Sequence, residues 1–232
     1  MTSKNTLNFS WKDIHIYIML LSAPLLLTIY RYHGYPQNLK IIYDFGLVKD
    51  QAISINQFII FFILMFLLPT LYIKLVMKKK LKDFGWGFGD VKLGLKILLL
   101  IPFVIVPAIY IAAQMPDVRS EYPLAKSLLQ NQTHLWFYEL AYVMFYYVAW
   151  EFFFRGFLQF GLKNKFGAVS AILIQTISSC LVHIGKPEGE IIGAIVVGLI
   201  FGYIALRTRS IWYVFLLHAS IGVLTDLFII YG

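Results

Sequence analysis

Ionisable side chains interrupt the long apolar runs in the second half of the sequence. Runs of this kind are typical of membrane-spanning helices, and inserting one ionised side chain at the centre of a membrane costs at least about 2.5–3.5 kcal/mol. Glu151 and Arg155 are four residues apart, so a helix places them on one face within reach of a salt bridge. His183 ends the next apolar run, and the last run contains His218 and Asp226. Each of these side chains therefore needs a compensating partner or a function.

A polar turn follows His183 and contains Pro187 and Gly189, which both break regular structure. Two interpretations of this turn are open. It can fold back into the protein and bring Glu188 or Glu190 toward the histidine, or it can be an ordinary solvated loop.

These polar clusters offer carboxylates and imidazoles in three of the apolar runs. Glutamate and histidine activate water as general bases, directly or with a metal, and a second histidine or an arginine stabilises an oxyanion. Hydrolysis inside a membrane requires this combination. The sequence has no Gly-x-Ser-x-Gly, His-Glu-x-x-His or phosphate-loop motif, so it gives no local support to a serine hydrolase, a zincin or a nucleotide-driven protein.

The elements that must hold these residues are strongly apolar. Hydrophobic residues make up 59% of the 232 residues and charged residues only 14%, with a mean hydropathy of +0.74. Soluble domains carry about 25% charged residues. This composition excludes a soluble enzyme, a disordered chain and a secreted disulfide scaffold, and the single cysteine, Cys180, cannot form an internal disulfide.

The apolar runs predict an all-α fold, a polytopic transmembrane helix bundle of about seven spans, because about 20 helical residues cross a bilayer core. We expect residues 1–232 to form a single membrane domain with a polar cavity formed by the C-terminal spans. The predicted spans are 14–30, 53–77, 93–113, 134–160, 167–184, 190–206 and 211–231.

Lysine and arginine residues predict the orientation of these spans. With the N-terminus inside, the inside segments hold eleven basic residues and the outside segments six, which favours an N-terminus inside and a C-terminus outside. The same rule explains the net charge of +8 without a nucleic-acid partner. We therefore expect a multi-pass protein of the cell membrane that contacts the lipid bilayer and no nucleic acid.

The motifs of the second half resemble those of a known family. They are Trp150-Glu151-Phe-Phe-Phe-Arg155-Gly-Phe-Leu, then His183, then Gly198-Leu-Ile-Phe-Gly-Tyr, then Leu217-His218-Ala219. Their order and spacing resemble the CAAX protease and bacteriocin-processing (CPBP, or Abi) family over about residues 134–228. The resemblance implies an intramembrane, glutamate-dependent endopeptidase with residues 134–228 as its catalytic core. The family's catalytic positions that match are Glu151, Arg155, His183 and His218.

Three motif positions differ from the family pattern. Trp150 stands in place of the first of two adjacent glutamates, Ser179 in place of phenylalanine, and Gly222 in place of asparagine or a similar polar residue. An indole donates one hydrogen bond and cannot accept a proton, so position 150 cannot act as a base.

Two replacements for the missing groups are open. Glu151 can itself act as the base, or Glu188 beside His183 can supply the carboxylate, with Asp226 one turn beyond Gly222 as the polar partner. If neither holds, the protein is a pseudoenzyme that keeps the cavity for binding.

The leading interpretation is a membrane-embedded peptidase that acts on a membrane-associated peptide or protein. Glu151 would be the general base, His183 and His218 would position water or stabilise the oxyanion, and Arg155 would fix Glu151. This scheme requires no cofactor and no metal, although two histidines and a carboxylate can bind zinc. The alternatives are an inactive family member that acts in bacteriocin immunity or as a scaffold, and, less favoured, a proton-coupled transporter.

Overall fold

The structure is a computed structural model that describes residues 9–35 and 45–232. The described residues form helices joined by short turns, with no β-strand among them, which confirms the all-α prediction. The first helices are α1 (Trp11–Gly34), α2 (Lys49–Val76), α3 (Val91–Leu100), α4 (Pro102–Ala112) and α5 (Pro116–Glu121). The second half contains α6 (135–166), α7 (Ala168–Val182), α8 (Glu188–Thr208) and α9 (Trp212–Tyr231).

Apolar length identifies the helices that can cross a membrane. Among the described residues these are α1, α2, α8 and α9, and the pair α3 and α4, bent by 41°, can form one further span. Helix α7 is apolar but has only 15 residues. Helix α6 carries Glu139, Glu151 and Arg155 within its length, which lowers its hydropathy. Each predicted span overlaps a helix, while the count of seven spans stays a prediction.

Helix α6 lies at the centre of the bundle and packs against α2, α7 and α9. It is continuous, but its hydrogen-bond pattern widens to π-helical turns at Tyr142–Tyr147 and Phe152–Phe160. Every residue of the second π-helical segment is buried. Such turns inside α-helices are frequent at functional sites, because they redirect side chains on either side.

Two glycines let α8 approach α6 and α7 closely. The carbonyl of Gly202 accepts a hydrogen bond from Gln159 Nε2 at 2.8 Å, and that of Gly198 accepts one from Gln175 Nε2 at 2.9 Å. A Cβ atom at position 202 would lie 2.8 Å from Gln159 Oε1. Small residues spaced four apart permit this packing, and the glutamine amides then join the three helices.

Helices α6 and α9 run antiparallel, with residue numbers rising along one as they fall along the other. The register is shown by three of the residue pairs that meet across this interface: Glu151 with His218, Tyr147 with Gly222, and Glu139 with Asp226. One helix pair therefore brings together ionisable residues from the predicted fourth and seventh spans.

Candidate active site

A cavity of about 480 Å³ lies between the helices. Besides five tyrosines, its polar and ionisable lining residues are Gln57, Asp117, Arg155, Ser179, His183, Lys186, Glu190, His218 and Thr225. The prediction that the C-terminal spans alone form the cavity is too narrow, since Gln57 of α2 and Ile105 and Ile109 of α4 also line it. The other lining side chains are largely apolar or aromatic, so the cavity has polar groups at defined positions in an otherwise apolar wall.

A short polar contact at the cavity joins His218 and Glu151. His218 Nδ1 lies 2.6 Å from Glu151 Oε1. An ionised carboxylate only accepts hydrogen bonds, so Nδ1 carries the proton, and Nε2 of the neutral ring is left to accept one. His218 lines the cavity, whereas Glu151 is 0% exposed and is not among the described residues that line it. Glu151 is therefore in contact with two residues that line the cavity, His218 and Arg155.

Arg155 makes the salt bridge that the spacing of four residues predicts. Its Nη1 lies 3.2 Å from Glu151 Oε1, with the two side chains only 2% and 0% exposed. The ion pair is thus shielded from solvent, and the prediction of a salt bridge is confirmed. Arg155 is also among the residues that line the cavity.

His183 is held by the backbone of its own helix. Its Nδ1 lies 3.0 Å from the carbonyl oxygen of Ser179, which can only accept. Nδ1 therefore donates, and Nε2 of the neutral ring is available as an acceptor, as in His218. Ser179 stands at the position where the family pattern has phenylalanine, and its contribution here is this carbonyl.

Trp150 lies between the two histidines. Its ring centroid is 5.2 Å from that of His183 and 5.6 Å from that of His218, both in edge-to-face arrangements. The indole is buried, and its Nε1 has no hydrogen-bond partner among the described residues. The residue that replaces the first family glutamate thus occupies the space between the imidazoles.

The turn after His183 brings one of its two glutamates to the cavity. Helix α8 begins at Glu188, which is exposed and does not line the cavity, whereas Glu190 does line it. Glu190 Oε1 accepts a hydrogen bond of 2.7 Å from the Tyr122 hydroxyl. Burial and the adjacent Glu190 raise the pKa of Tyr122 well above its usual value, so this phenol stays protonated and donates. The sequence-based interpretation chose Glu188 as the replacement carboxylate, whereas in the structure Glu190 is the glutamate of this turn that lines the cavity.

Asp226 faces away from the cavity. It is fully buried, and its carboxyl group lies beside that of Glu139, a residue that is not among the predicted site residues. Asp226 is absent from the described residues that line the cavity, and the hydroxyl against Gly222 belongs to Tyr147.

A second group of charges lies at one edge of the cavity. Lys186 forms an ion pair with Glu121 and also lies 4.9 Å from the centre of the Tyr122 ring. Among the described residues, no three His, Cys, Asp or Glu side chains are grouped in a way that could hold a metal ion.

Residues 132–224 match the family model described as type II CAAX prenyl endopeptidase Rce1-like. The family resemblance is confirmed. This Rce1-like region runs from the residues just before α6 into α9, so it contains Glu151, Arg155, His183 and His218 but ends before Asp226. No curated protein and no solved structure matches the chain. The match and the apolar helices together identify an integral membrane protein with a region of a peptidase family.

Proposed function

We propose that the chain is an intramembrane endopeptidase of the CAAX protease type that hydrolyses a peptide bond in a membrane-associated peptide or protein. One observation carries the proposal. The buried Glu151 carboxylate holds His218 at a cavity that His183 and Arg155 also line, all within the Rce1-like region. A carboxylate–histidine pair beside an apolar cavity suits water activation next to a peptide bound from the membrane.

In the proposed reaction His218 is the general base. Its Nε2 removes a proton from the attacking water, while Glu151 accepts the Nδ1 hydrogen bond and stabilises the imidazolium that forms. The imidazolium then returns the proton to the leaving amine. This assignment differs from the sequence-based interpretation of Glu151 as the base, because Glu151 touches His218 and Arg155 rather than the cavity.

His183 and Arg155 have complementary roles in this scheme. The Nε2 of neutral His183 accepts a hydrogen bond from the attacking water and orients it. The Arg155 guanidinium, which lines the cavity, donates to the oxyanion of the tetrahedral intermediate. Burial strengthens both interactions because the surroundings have a low dielectric constant.

We further propose seven spans in the cell membrane with the N-terminus inside. The cavity edge formed by Tyr122, Lys186 and Glu190 then faces the outer side. A reporter enzyme fused after Gly232 is expected to be active only outside the cell, and one inserted in the 78–92 loop only in the cytoplasm. Cytoplasmic activity of the Gly232 fusion would refute the orientation or the span count.

The proposed activity predicts that purified protein in detergent or liposomes cleaves some membrane-associated peptides. The panel should contain prenylated and unmodified versions of each peptide, so that recognition of the lipid is separated from recognition of the sequence. The matched control is Ser220→Ala, since Ser220 is exposed on α9 and, among the described residues, its hydroxyl bonds only the Leu216 carbonyl. Mass spectrometry of the products identifies the cleaved bond.

One observation favours a second candidate function, binding without catalysis. Trp150 fills the space between the imidazoles where the family pattern has a carboxylate. An inactive member would keep the cavity for a peptide ligand, as in bacteriocin immunity or scaffolding. Retention of a panel peptide without any cleavage would support this candidate over the peptidase.

A further inference from the structure

Gly222 follows His218 by one helical turn, and a tyrosine fills the place of its missing side chain. A Cβ atom at position 222 would lie 1.9 Å from the Tyr147 hydroxyl oxygen and 2.6 Å from the adjacent ring carbon. The two positions thus compete for the same space across the α6–α9 interface. Here that space holds a phenol oxygen from α6 rather than a polar side chain from α9.

The same tyrosine borders the candidate base. The Tyr147 and His218 ring centroids are 4.8 Å apart, and both residues line the cavity. Tyr147, Glu151 and Arg155 follow one another at intervals of four residues along α6. Tyr147 therefore borders the Glu151–His218 pair on one side and Arg155 borders it on the other.

Asp226, the polar side chain one turn beyond Gly222, does not take this place at the cavity. Asp226 is buried beside Glu139 and is not among the described residues that line the cavity. The Tyr147 phenol differs from it in lying at the cavity and in being a neutral donor, which suits a hydrogen bond to an oxygen that gains negative charge.

We propose that Tyr147 is a further catalytic residue, whose hydroxyl donates a hydrogen bond to the oxyanion formed at the scissile carbonyl. The phenol keeps its proton throughout, so no bond to Tyr147 forms or breaks. It supplies from α6 the polar contact that position 222 lacks on α9. This inference rests on the proposed peptidase function.

Tyr147→Phe tests the hydroxyl alone, because the ring contact with His218 is retained. We expect kcat to fall by about 10²–10³-fold, as for the loss of one oxyanion donor, with KM and the melting temperature little changed. The matched control is Tyr203→Phe, since Tyr203 is exposed on α8 and, within residues 9–35 and 45–232, its hydroxyl hydrogen-bonds only Arg207. Full activity of Tyr147→Phe, or a fall in stability alone, would overturn the inference.

An exchange of the two positions gives a second test. Gly222→Asn alone should lower the melting temperature, since its Cβ collides with the Tyr147 hydroxyl. Tyr147→Ala/Gly222→Asn removes the collision and returns a polar side chain, so it should recover kcat relative to Tyr147→Ala. A folded double variant without recovery would count against the inference. A wild type that cleaves nothing overturns the proposed function itself, whereas an active wild type with a fully active Tyr147→Phe overturns only this inference.

Discussion

His218→Gln is expected to lower peptide cleavage by about 10²–10⁴-fold while the protein remains folded, as is typical for the loss of a general base. The glutamine amide can still donate to Glu151, which sits 2.6 Å from the histidine Nδ1. It has no basic nitrogen, however, and cannot take a proton from water near neutral pH. The predicted loss therefore lies in kcat rather than in folding or in peptide binding.

Cleavage rate and thermal unfolding should be measured on the same samples of His218→Gln and of Ser220→Ala. Ser220 is two residues away on the same helix, so this control reports any general effect of substitution in α9. His218→Ala offers a further check, because added imidazole should restore part of its activity if a base is what the site has lost. Cleavage by His218→Gln within a few-fold of the wild type would remove His218 as the base.

The helices of this protein are well predicted by hydropathy, because a membrane span must be apolar along about 20 residues. Contacts within one helix are predicted too. Residues four apart share a face, so the spacing of Glu151 and Arg155 was enough to expect the ion pair that the structure contains.

Contacts between helices depend on their register, which spacing within one span does not fix. His218 and Asp226 are eight residues apart and therefore lie near one face of α9, but this spacing leaves open which residues of α6 they meet. The antiparallel register pairs Asp226 with the unselected Glu139, and His218 with Glu151. Tyr147 was not predicted as a site residue because its contact with α9 also depends on this register. Gly222 was a signal of such a contact, since a glycine in a helix can leave room for a side chain of the neighbouring helix.

The choice between Glu188 and Glu190 depends on where α8 begins. Residues two apart on a helix point about 200° from each other, so only one of them can face the cavity. Because the helix begins at Glu188, Glu190 faces inward and meets Tyr122. Pro187 and Gly189 predict a break in this region, but they do not fix the first helical residue.

The neighbours of Trp150 also depend on how the helices pack. In the sequence, Trp150 replaces the first glutamate of the family motif, so position 150 has no carboxylate that could act as a base. In the structure the indole separates the two imidazoles, while Glu151 reaches the cavity through His218. The next residue in the chain, Glu151, thus still places a carboxylate against a histidine at the cavity, His218.

Glu151→Gln is expected to destabilise the protein by about 3–5 kcal/mol, since it leaves the charge of Arg155 buried without a counter-ion. The two side chains are almost fully buried and lie 3.2 Å apart, so solvent screens little of the lost attraction. Cleavage should fall as well, because His218 loses the negative charge that stabilises its imidazolium. Glu188→Gln is the matched control, as it removes the same charge from an exposed position and should change stability by no more than about 0.5 kcal/mol.

The double variant Glu151→Gln/Arg155→Met separates the two effects of the glutamate. With both charges removed, no uncompensated ion remains, so unfolding in detergent should return toward the wild-type midpoint. Cleavage should stay low, because neither the carboxylate that holds His218 nor the proposed oxyanion donor is restored. Recovery of both stability and cleavage in this variant would show that the ion pair only neutralises itself within the helix, and that Glu151 does not act on the cavity through His218.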